Sequence, residues 1–561
     1  MTRAPQTEYG FTRKQITLGL VAIFAVYGTM AYFIQTMNIA RPKIAADLNG
    51  MSLYSLAVSI PSLVGAFVTL VFGKLSDMYG RRIMLIVSVT CCLIGTVLAA
   101  VSPNYIFLII ASAISSLGTG AMIPLTFAVV GDLFPPEKRG KWIGLLRIPT
   151  GIFSLIGPTL GGLLVDNLSW RYIYWLALPF LVACLILVPL GIPSAVNPET
   201  KRKIDILGCV LVAVASSTLI IGFSFAGDKY PWDSPHIIGL LLTSFLFWIL
   251  FLRTENRAEE PILDPLVLRN RSFLTIAVAT MLSFFSNMGI LMYFPMFLQG
   301  VQSISTTVSG QIITPFSVLL SFIGVPVGFL LSRGGKFKWM YVLGFAILTT
   351  DMFAMTLLKE QTPVYLSVVA ATVAGLGLGA VPTINTMVVQ NAVPKRLLGA
   401  SMGALFFSIL MGVAIAPALL GSAMNASYEK ALNRSLPQEL YEIADQGTMT
   451  LLRNPRVLLS QSAMDELKAE FDRGGSGMQA LFPETVGAIR YSLHAGLKSV
   501  FWLGAVTMLL AFLTISTIPA QTTSGEQMAK NALSSDGAGE ITRISNKVSA
   551  AEAPSRKGLL K

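Results

Sequence analysis

Two ionisable side chains stand inside long apolar stretches of this chain: Asp351, in the run 340 to 358, and Arg147, near the start of the run 143 to 164. Holding a charge inside a bilayer costs about 2.5–3.5 kcal/mol on insertion scales, so such a residue is a functional candidate by default. A carboxylate there can take up and release a proton, and a guanidinium can hold an anion. Asp351 lies eight residues before Lys359, about 12 Å at helical rise, too deep for its short side chain to reach the headgroups easily. It reads either as a proton-coupling acid or as a structural partner of neighbouring helices. Arg147 stands about one turn from Lys141, so a reach to the headgroups is expected; turned inward, it would meet an anionic group. Little else suggests bond-making chemistry. The two histidines, His236 and His494, fall outside the apolar runs, and no nucleophile or metal-ligand cluster accompanies them, which argues against an enzyme. Cys91, Cys92, Cys184 and Cys209 lie in or at the edge of apolar runs and read as small packed hydrophobes.

Three further groups carry a physical signal. Gly73-Lys74-Leu75-Ser76-Asp77-Met78-Tyr79-Gly80-Arg81-Arg82 reads as a short basic loop between the apolar runs 53 to 72 and 83 to 101. Its glycines allow a tight turn, and Asp77 can cap the next helical turn and pair with Arg81 or Arg82. Gly157-Pro158-Thr159-Leu160-Gly161-Gly162, with Gly151 upstream, combines a missing helical hydrogen bond with missing side-chain bulk. Such a segment can bend and approach a neighbouring helix closely, and a flexible contact between bundles is expected of it. Candidate linings for a mid-membrane cavity are Gln35, Asn38, Phe284, Phe285, Asn287, Met288, Met292, Gln311, Phe316, Asn385, Phe406 and Phe407. Met and Phe give a pliable apolar surface suited to varied amphipathic ligands. With so few buried carboxylates, a strongly cationic compound is less well served than a neutral, lipid-like or weakly anionic one.

The elements that must position these residues are membrane helices. Hydrophobic residues make up 53% of the 561 and charged ones 12%, outside the range of a soluble domain. Runs of roughly twenty apolar residues recur along almost the whole length, each long enough to span as a helix, and about fourteen can be placed. Basic residues alternate between loops. Lys74, Arg81 and Arg82; Lys138, Arg139 and Lys141; Lys201, Arg202 and Lys203; Arg253, Arg257, Arg269 and Arg271; Arg333, Lys336 and Lys338; and Lys395 with Arg396 fall on one side. Only Arg41, Lys43, Arg171, Lys229 and Lys359 fall on the other, so both termini are expected in the cytoplasm. The net charge of +12 is then mostly a topology signal and needs no nucleic acid partner.

An internal echo organises the chain. Leu117-Gly118-Thr119-Gly120-Ala121, Pro124 and Lys138-Arg139 recur as Leu376-Gly377-Leu378-Gly379-Ala380, Pro382 and Lys395-Arg396, and the stretch from Gly73 has a degenerate copy from Gly328. This predicts parallel halves: an N-tail 1–15, a six-helix bundle 16–193, two linker helices 206–252 and a second six-helix bundle 273–518. Residues 425–495 form a polar external loop with a helical hairpin, opened by a capping box at Ser435 and Gln438 and stopped at Gly474-Gly475. The 520–561 tail is too poor in large apolar side chains to fold on its own.

The stretch 73 to 82, the Gly-Pro-x-x-Gly-Gly segment and the doubled halves together resemble the major facilitator superfamily, and fourteen spans resemble its drug:proton antiporter family. That resemblance covers roughly residues 10 to 520. It implies an all-α integral membrane fold, two six-helix bundles plus two extra helices, and efflux of amphipathic small molecules by alternating access in a bacterial inner membrane. It also implies no bound cofactor, a proton gradient as energy source, the lipid bilayer as surroundings, and room for an accessory envelope protein as partner. Gly73, Asp77, Gly80, Arg81 and Arg82 would form its gate motif; Gly151, Gly157, Pro158, Gly161 and Gly162 its antiporter motif. Phe33 stands where many relatives have an acid, and Ser112 and Ser115 where they have Arg and Gln. An uncoupled or lipid-handling transporter of the same fold, or a non-transporting scaffold, are the alternatives.

Overall fold

The computed structural model describes residues 13–48, 53–193, 205–227, 230–258, 261–332, 337–455, 457–459 and 461–518. The expected tail 520–561 and most of the expected N-tail lie outside the described residues. Among the described residues, fourteen long helices carry the architecture. They are α1 Arg13–Asp47, α2 Tyr54–Tyr79, α3 Arg81–Ala100, α4 Tyr105–Leu133, α5 Ile148–Asn167, α6 Arg171–Gly191, α7 Ile206–Phe225 and α8 Pro235–Glu255. There follow α9 Arg271–Met288, α10 Thr306–Phe322, α11 Phe337–Met355, α12 Val364–Gly379, α13 Leu398–Ser435 and α14 Gly475–Ser516. Three are prolonged almost without a break: α9 through π-helical turns to Val301, α10 as Gly324–Ser332, and α12 as Val381–Ala392. A short helix, Pro136–Leu145, leads into α5.

Among the described residues, twelve helices are long and apolar enough to cross a membrane. The two expected spans outside this dozen are α5, which holds the Gly-Pro segment, and α11, which includes Lys338 and Asp351. Many large apolar side chains remain exposed, such as Phe180, Ile186 and Leu190 on α6 and Leu242, Phe245 and Leu246 on α8. In a bilayer these faces meet acyl chains, so their exposure carries no penalty.

Helices α1–α6 form one bundle and α9–α14 the other. In the first, α1 packs on α5 and α6, α2 on α4, and α3 on α4 and α6. The same scheme recurs eight helices later: α9 on α13 and α14, α10 on α12, and α11 on α12 and α14. The sequence echo has a packing cause. A Cβ on Gly118 would strike Ser88 and Cys92 of α3, and one on Gly120 would lie 2.5 Å from the Gly65 carbonyl oxygen of α2. In the second copy, Gly377 abuts Gly344 and Leu348 of α11, while Gly379 would put a Cβ 2.6 Å from the Leu319 oxygen of α10. Each central helix therefore needs two glycines two residues apart, because it is pressed by a neighbour on each of two faces.

Helices α7 and α8 pack on each other, and α7 lies against both α2 and α13. Trp232, between them, donates to Ser422 of α13 at 2.7 Å, and Trp248 of α8 packs against Phe407 at 5.8 Å between ring centroids.

The region 425–495 is more helical than its polarity suggests. Both α13 and α14 run on past their apolar parts, and helices Gln438–Ile443, Gln446–Leu452 and Gln461–Arg473 lie between them. Ser435 caps nothing; it is the last residue of α13 and its hydroxyl donates back to the Ala431 carbonyl at 2.9 Å. The cap in this region is Asp445, which accepts from the Thr448 N–H at 2.9 Å. The Gly474-Gly475 stop is placed as expected, with Gly475 at φ 84° turning the chain into α14.

Gly118→Val should disrupt the α3–α4 contact and lower the melting temperature of the purified protein, at a cost of about 1–3 kcal/mol or more, as overpacking does. Gly162→Val is the control, since a Cβ there meets nothing within 4 Å. Equal melting temperatures for the two variants would contradict this packing.

Candidate functional site

The bundles touch each other most closely on the side that carries Arg81, Lys138, Arg139 and Arg396. One seam joins α2 to α13. A Cβ on Gly73 would lie 2.5 Å from the Gly399 oxygen and 3.0 Å from the Gly403 Cα, so the two backbones meet directly. One turn further on, Asp77 accepts from the Gly399 N–H at 2.9 Å through Oδ1 and from the Ala400 N–H at 2.7 Å through Oδ2. Leu397, the residue preceding α13, offers no side-chain acceptor of its own. Asp77 thus supplies, from the opposite bundle, the bonds that an N-cap side chain would make, and its charge faces the positive end of α13.

Arg81 holds that carboxylate in place. It pairs with Asp77, donates to Ser76, and donates through Nε to Asp132 of α4 at 2.9 Å. Arg82 joins none of these bonds. The stretch 73 to 82 is therefore hardly a loop: α2 continues to Tyr79, and Gly80, at φ 90°, makes the whole turn into α3. Asp77 caps α13 and not the helix that follows it.

A second seam copies the first. Gly140 and Gly144 of the short helix meet Gly328 and Gly324 beyond α10, with Cβ positions 2.9 and 2.5 Å from the facing carbonyl oxygens. Gly328 is the repeat partner of Gly73, but Ser332 stands where Asp77 would be and, among the described residues, bonds only the Phe329 carbonyl of its own helix. The second seam has no crossing cap from this position. Arg139, 2% exposed, crosses between bundles instead. It donates to the carbonyls of Phe134 and Gly131 at the end of α4, at 3.0 and 2.8 Å, and to the Gln390 carbonyl at 3.3 Å in the other bundle. Gln390 in turn donates to the Phe127 carbonyl at 2.7 Å. Reading Arg139 only as a topology charge missed this, because nothing in the basic cluster distinguishes it from the exposed Lys138.

Beyond the seams lies a cavity of about 760 Å³, walled by both bundles. It extends to Arg41, Ile44 and Ala57, near the ends of α1 and α2 remote from the seams. Gln35, Phe284, Asn287, Asn385 and Phe406 line it, as does Arg147. Arg147 stands at the junction between the short helix and α5, with its backbone still αR, and its side chain lines the cavity. Its guanidinium lies 5.7 Å from the centre of the Phe127 ring, which stacks on Phe406 at 5.4 Å and meets Tyr27 edge-on at 5.5 Å.

Helical spacing decides the other candidates. Thr280, Ser283, Phe284, Asn287 and Leu291 of α9 and its extension share the cavity face, so Phe285, Met288 and Met292 point elsewhere, the first into the core and the last outward. On α10, Ser317, Leu320 and Ser321 face in, leaving Phe316 buried against Gly375 and Gln311 exposed. Phe407 packs on Trp248 in place of the cavity. The Asn38 side chain lies outside the described set. Hydroxyls were overlooked: Ser112, Ser115, Thr119, Thr150 and Ser154 all line the cavity. The two serines at the positions of the missing Arg and Gln were a signal that these places face inward.

Asp351 does not line the cavity. It is buried on α11, a helix packed against α12 and α14, and its Oδ2 has no hydrogen-bond partner among the described residues. The Gly-Pro segment also sits differently from expectation. A Cβ on Gly157 would lie 2.7 Å from the Gln35 Cβ, and one on Gly161 2.9 Å from the Thr36 oxygen, so these glycines seat α5 on α1 of the same bundle. Only Gly151 reaches across, where its Cβ would lie 2.5 Å from the Phe322 ring of α10. The Pro158 side chain lies outside the described set, and Gly162 faces open space.

Known proteins agree with this architecture. Residues 18–417 match the family model of the Major Facilitator Superfamily. The multidrug transporter protein MdtP of Bacillus subtilis is 28% identical over 507 residues, which is 88% of this chain and 90% of that one. Multidrug resistance protein 3 of the same organism is 26% identical over 512 residues, covering 90% and 96%. Among solved structures, the human organic anion transporter MFSD10 superposes with a TM-score of 0.56 at 13% identity over 91% of this chain and all of that one, a likeness of fold alone. With two like bundles around a central cavity and a family model matched over most of its length, this multi-pass membrane chain belongs to the major facilitator superfamily of transporters.

Proposed function

We propose that this protein is a fourteen-span exporter of amphipathic small molecules in a bacterial inner membrane, driven by proton entry and working by alternating access. The carrying observation is the asymmetry of the bundle contact. Glycine seams and the Asp77 cap close one end of the cavity, while the other end reaches Arg41 and Ile44. The closed end carries the basic loops, which the positive-inside rule assigns to the cytoplasm together with both termini. In this state the cavity faces outward. Opening to the cytoplasm requires Asp77 to release two amides and the glycine backbones to part. Both are discrete contacts that form or break as a unit, as a two-state rocking element needs. The Bacillus relatives, named for multidrug transport and resistance, support the efflux direction.

The cap should be visible directly. In Asp77→Ala, the first turn of α13 loses its acceptors, so hydrogen exchange across residues 398–402 should quicken about tenfold or more and export should fall. Unchanged exchange would remove Asp77 from this role.

Proton coupling has two readings, because among the described residues the cavity lining contains no carboxylate and Asp351 lies away from it. Under coupling, Asp351 is the proton site: Asp351→Asn should abolish uphill export while leaving downhill exchange of the same compound. A protonophore should then reduce the original protein to the rate of the variant. If export persists unchanged after the pH gradient is collapsed, the chain is an uncoupled transporter of the same fold.

A further inference from the structure

We propose that the cargo is an amphipathic anion, whose carboxylate or other acidic group is held by Arg147 while its apolar body lies on the aromatic and aliphatic walls; this rests on the transport reading above. Charge is the first ground. Among the described residues, the cavity lining includes two arginines, Arg147 and Arg41, and no Asp, Glu or Lys. A low-dielectric chamber with only positive groups attracts anions and repels cations at every point. Hydrogen-bond accounting is the second. The Nε of Arg147 is buried without a partner, although a guanidinium is the side chain best suited to a planar carboxylate. Arg147 lines the cavity with no acceptor among the described residues, so an anionic group entering there meets an uncommitted guanidinium.

The surroundings match this assignment. Phe127, beneath the guanidinium, and Phe406, stacked on it, leave one face of the Arg147 plane supported and its donors free to be used. Thr150 and Ser154 lie one and two turns along α5 from Arg147 and line the same wall; the Ser154 proton is committed to the Gly151 carbonyl, so Thr150 offers the hydroxyl donor. Arg41, exposed at the far end of the cavity, marks the exit with the same sign of charge. An anion leaving Arg147 would therefore find a second attractive point on its way out. The apolar requirement comes from Tyr27, Met30, Phe33, Phe284 and Leu410, which also line the chamber.

Three probes that share one apolar body separate the possibilities: pyrenebutyrate, pyrenebutanol and the pyrenebutyl-trimethylammonium analogue. They are titrated against the purified protein in zwitterionic nanodiscs and, separately, followed for movement in proteoliposomes. Pyrenebutyrate should bind about tenfold or more tightly than the alcohol, as one charge-assisted pair allows, and the cation more weakly than the alcohol. Arg147→Gln should bring the carboxylate down to the affinity of the alcohol and leave the alcohol itself within about twofold, which also reports that the variant is folded. Arg147→Lys should restore part of the preference, and Arg41→Gln should slow release or entry with a smaller change in affinity. Equal binding of the three probes, a preference for the cation, or a carboxylate preference that survives Arg147→Gln would overturn the assignment. A carboxylate preference in binding with no movement of any probe would leave the anion site standing and remove the transport reading.

Discussion

Two helices can lie backbone to backbone only where no Cβ intervenes, and this structure brings its two bundles together at such places. Gly73 against Gly399 and Gly403, and Gly140 and Gly144 against Gly328 and Gly324, leave no room for side chains between them. In lipid, no hydrophobic force drives one apolar helix onto another, so close van der Waals contact and polar bonds must hold the seams. The Asp77 carboxylate adds the directional part by capping α13 from the other bundle. Such contacts are short-ranged. A separation of an ångström forfeits much of the packing, and a small further shift breaks the hydrogen bonds, so the closed seam behaves as a switch and not as a spring.

The chamber above the seams follows from the same economy of polar groups. Several of its hydroxyls bond within their own helices, as Ser154 does on the Gly151 carbonyl at 2.8 Å and Ser283 on that of Thr280 at 2.7 Å, and so can face an apolar cavity at little cost. Arg147 differs, since its Nε is left without a partner in the cavity wall. Asp351 is placed in the opposite way, enclosed by helices of one bundle where no ligand in the cavity touches it. Under the coupling reading proposed above, its proton would act through the packing of α11 on α12 and α14 and not by touching a ligand.

Much of the fold was legible in the sequence because lipid reduces secondary structure to one answer and repeats advertise themselves. The spacing of Gly118 and Gly120, echoed at Gly377 and Gly379, reflects two neighbours pressing one helix, and that demand survives divergence better than side-chain identity. Long-range partners were not legible. Asp77 was expected to cap its own neighbourhood, since nothing local shows that the start of α13 lies beside it. Phe285, Phe316 and Phe407 carry the same side chain as Phe284 and Phe406, and only helical rotation separates wall from core. Arg147 was expected to follow its nearness to Lys141 outward, but it lines the cavity beside Phe127.

In the transport cycle proposed above, closure at the basic side and opening at the other are one motion. Spin labels attached at Pro103→Cys and Gln361→Cys, in the α3–α4 and α11–α12 connections, report the side remote from the seams; labels at Lys138→Cys and Arg396→Cys report the seam side. Pulsed-dipolar distances measured on both pairs under changes of pH and cargo should show two populations at each end that shift in opposite directions. Distances that stay single at both ends, or lengthen at both together, would contradict alternating access about this cavity.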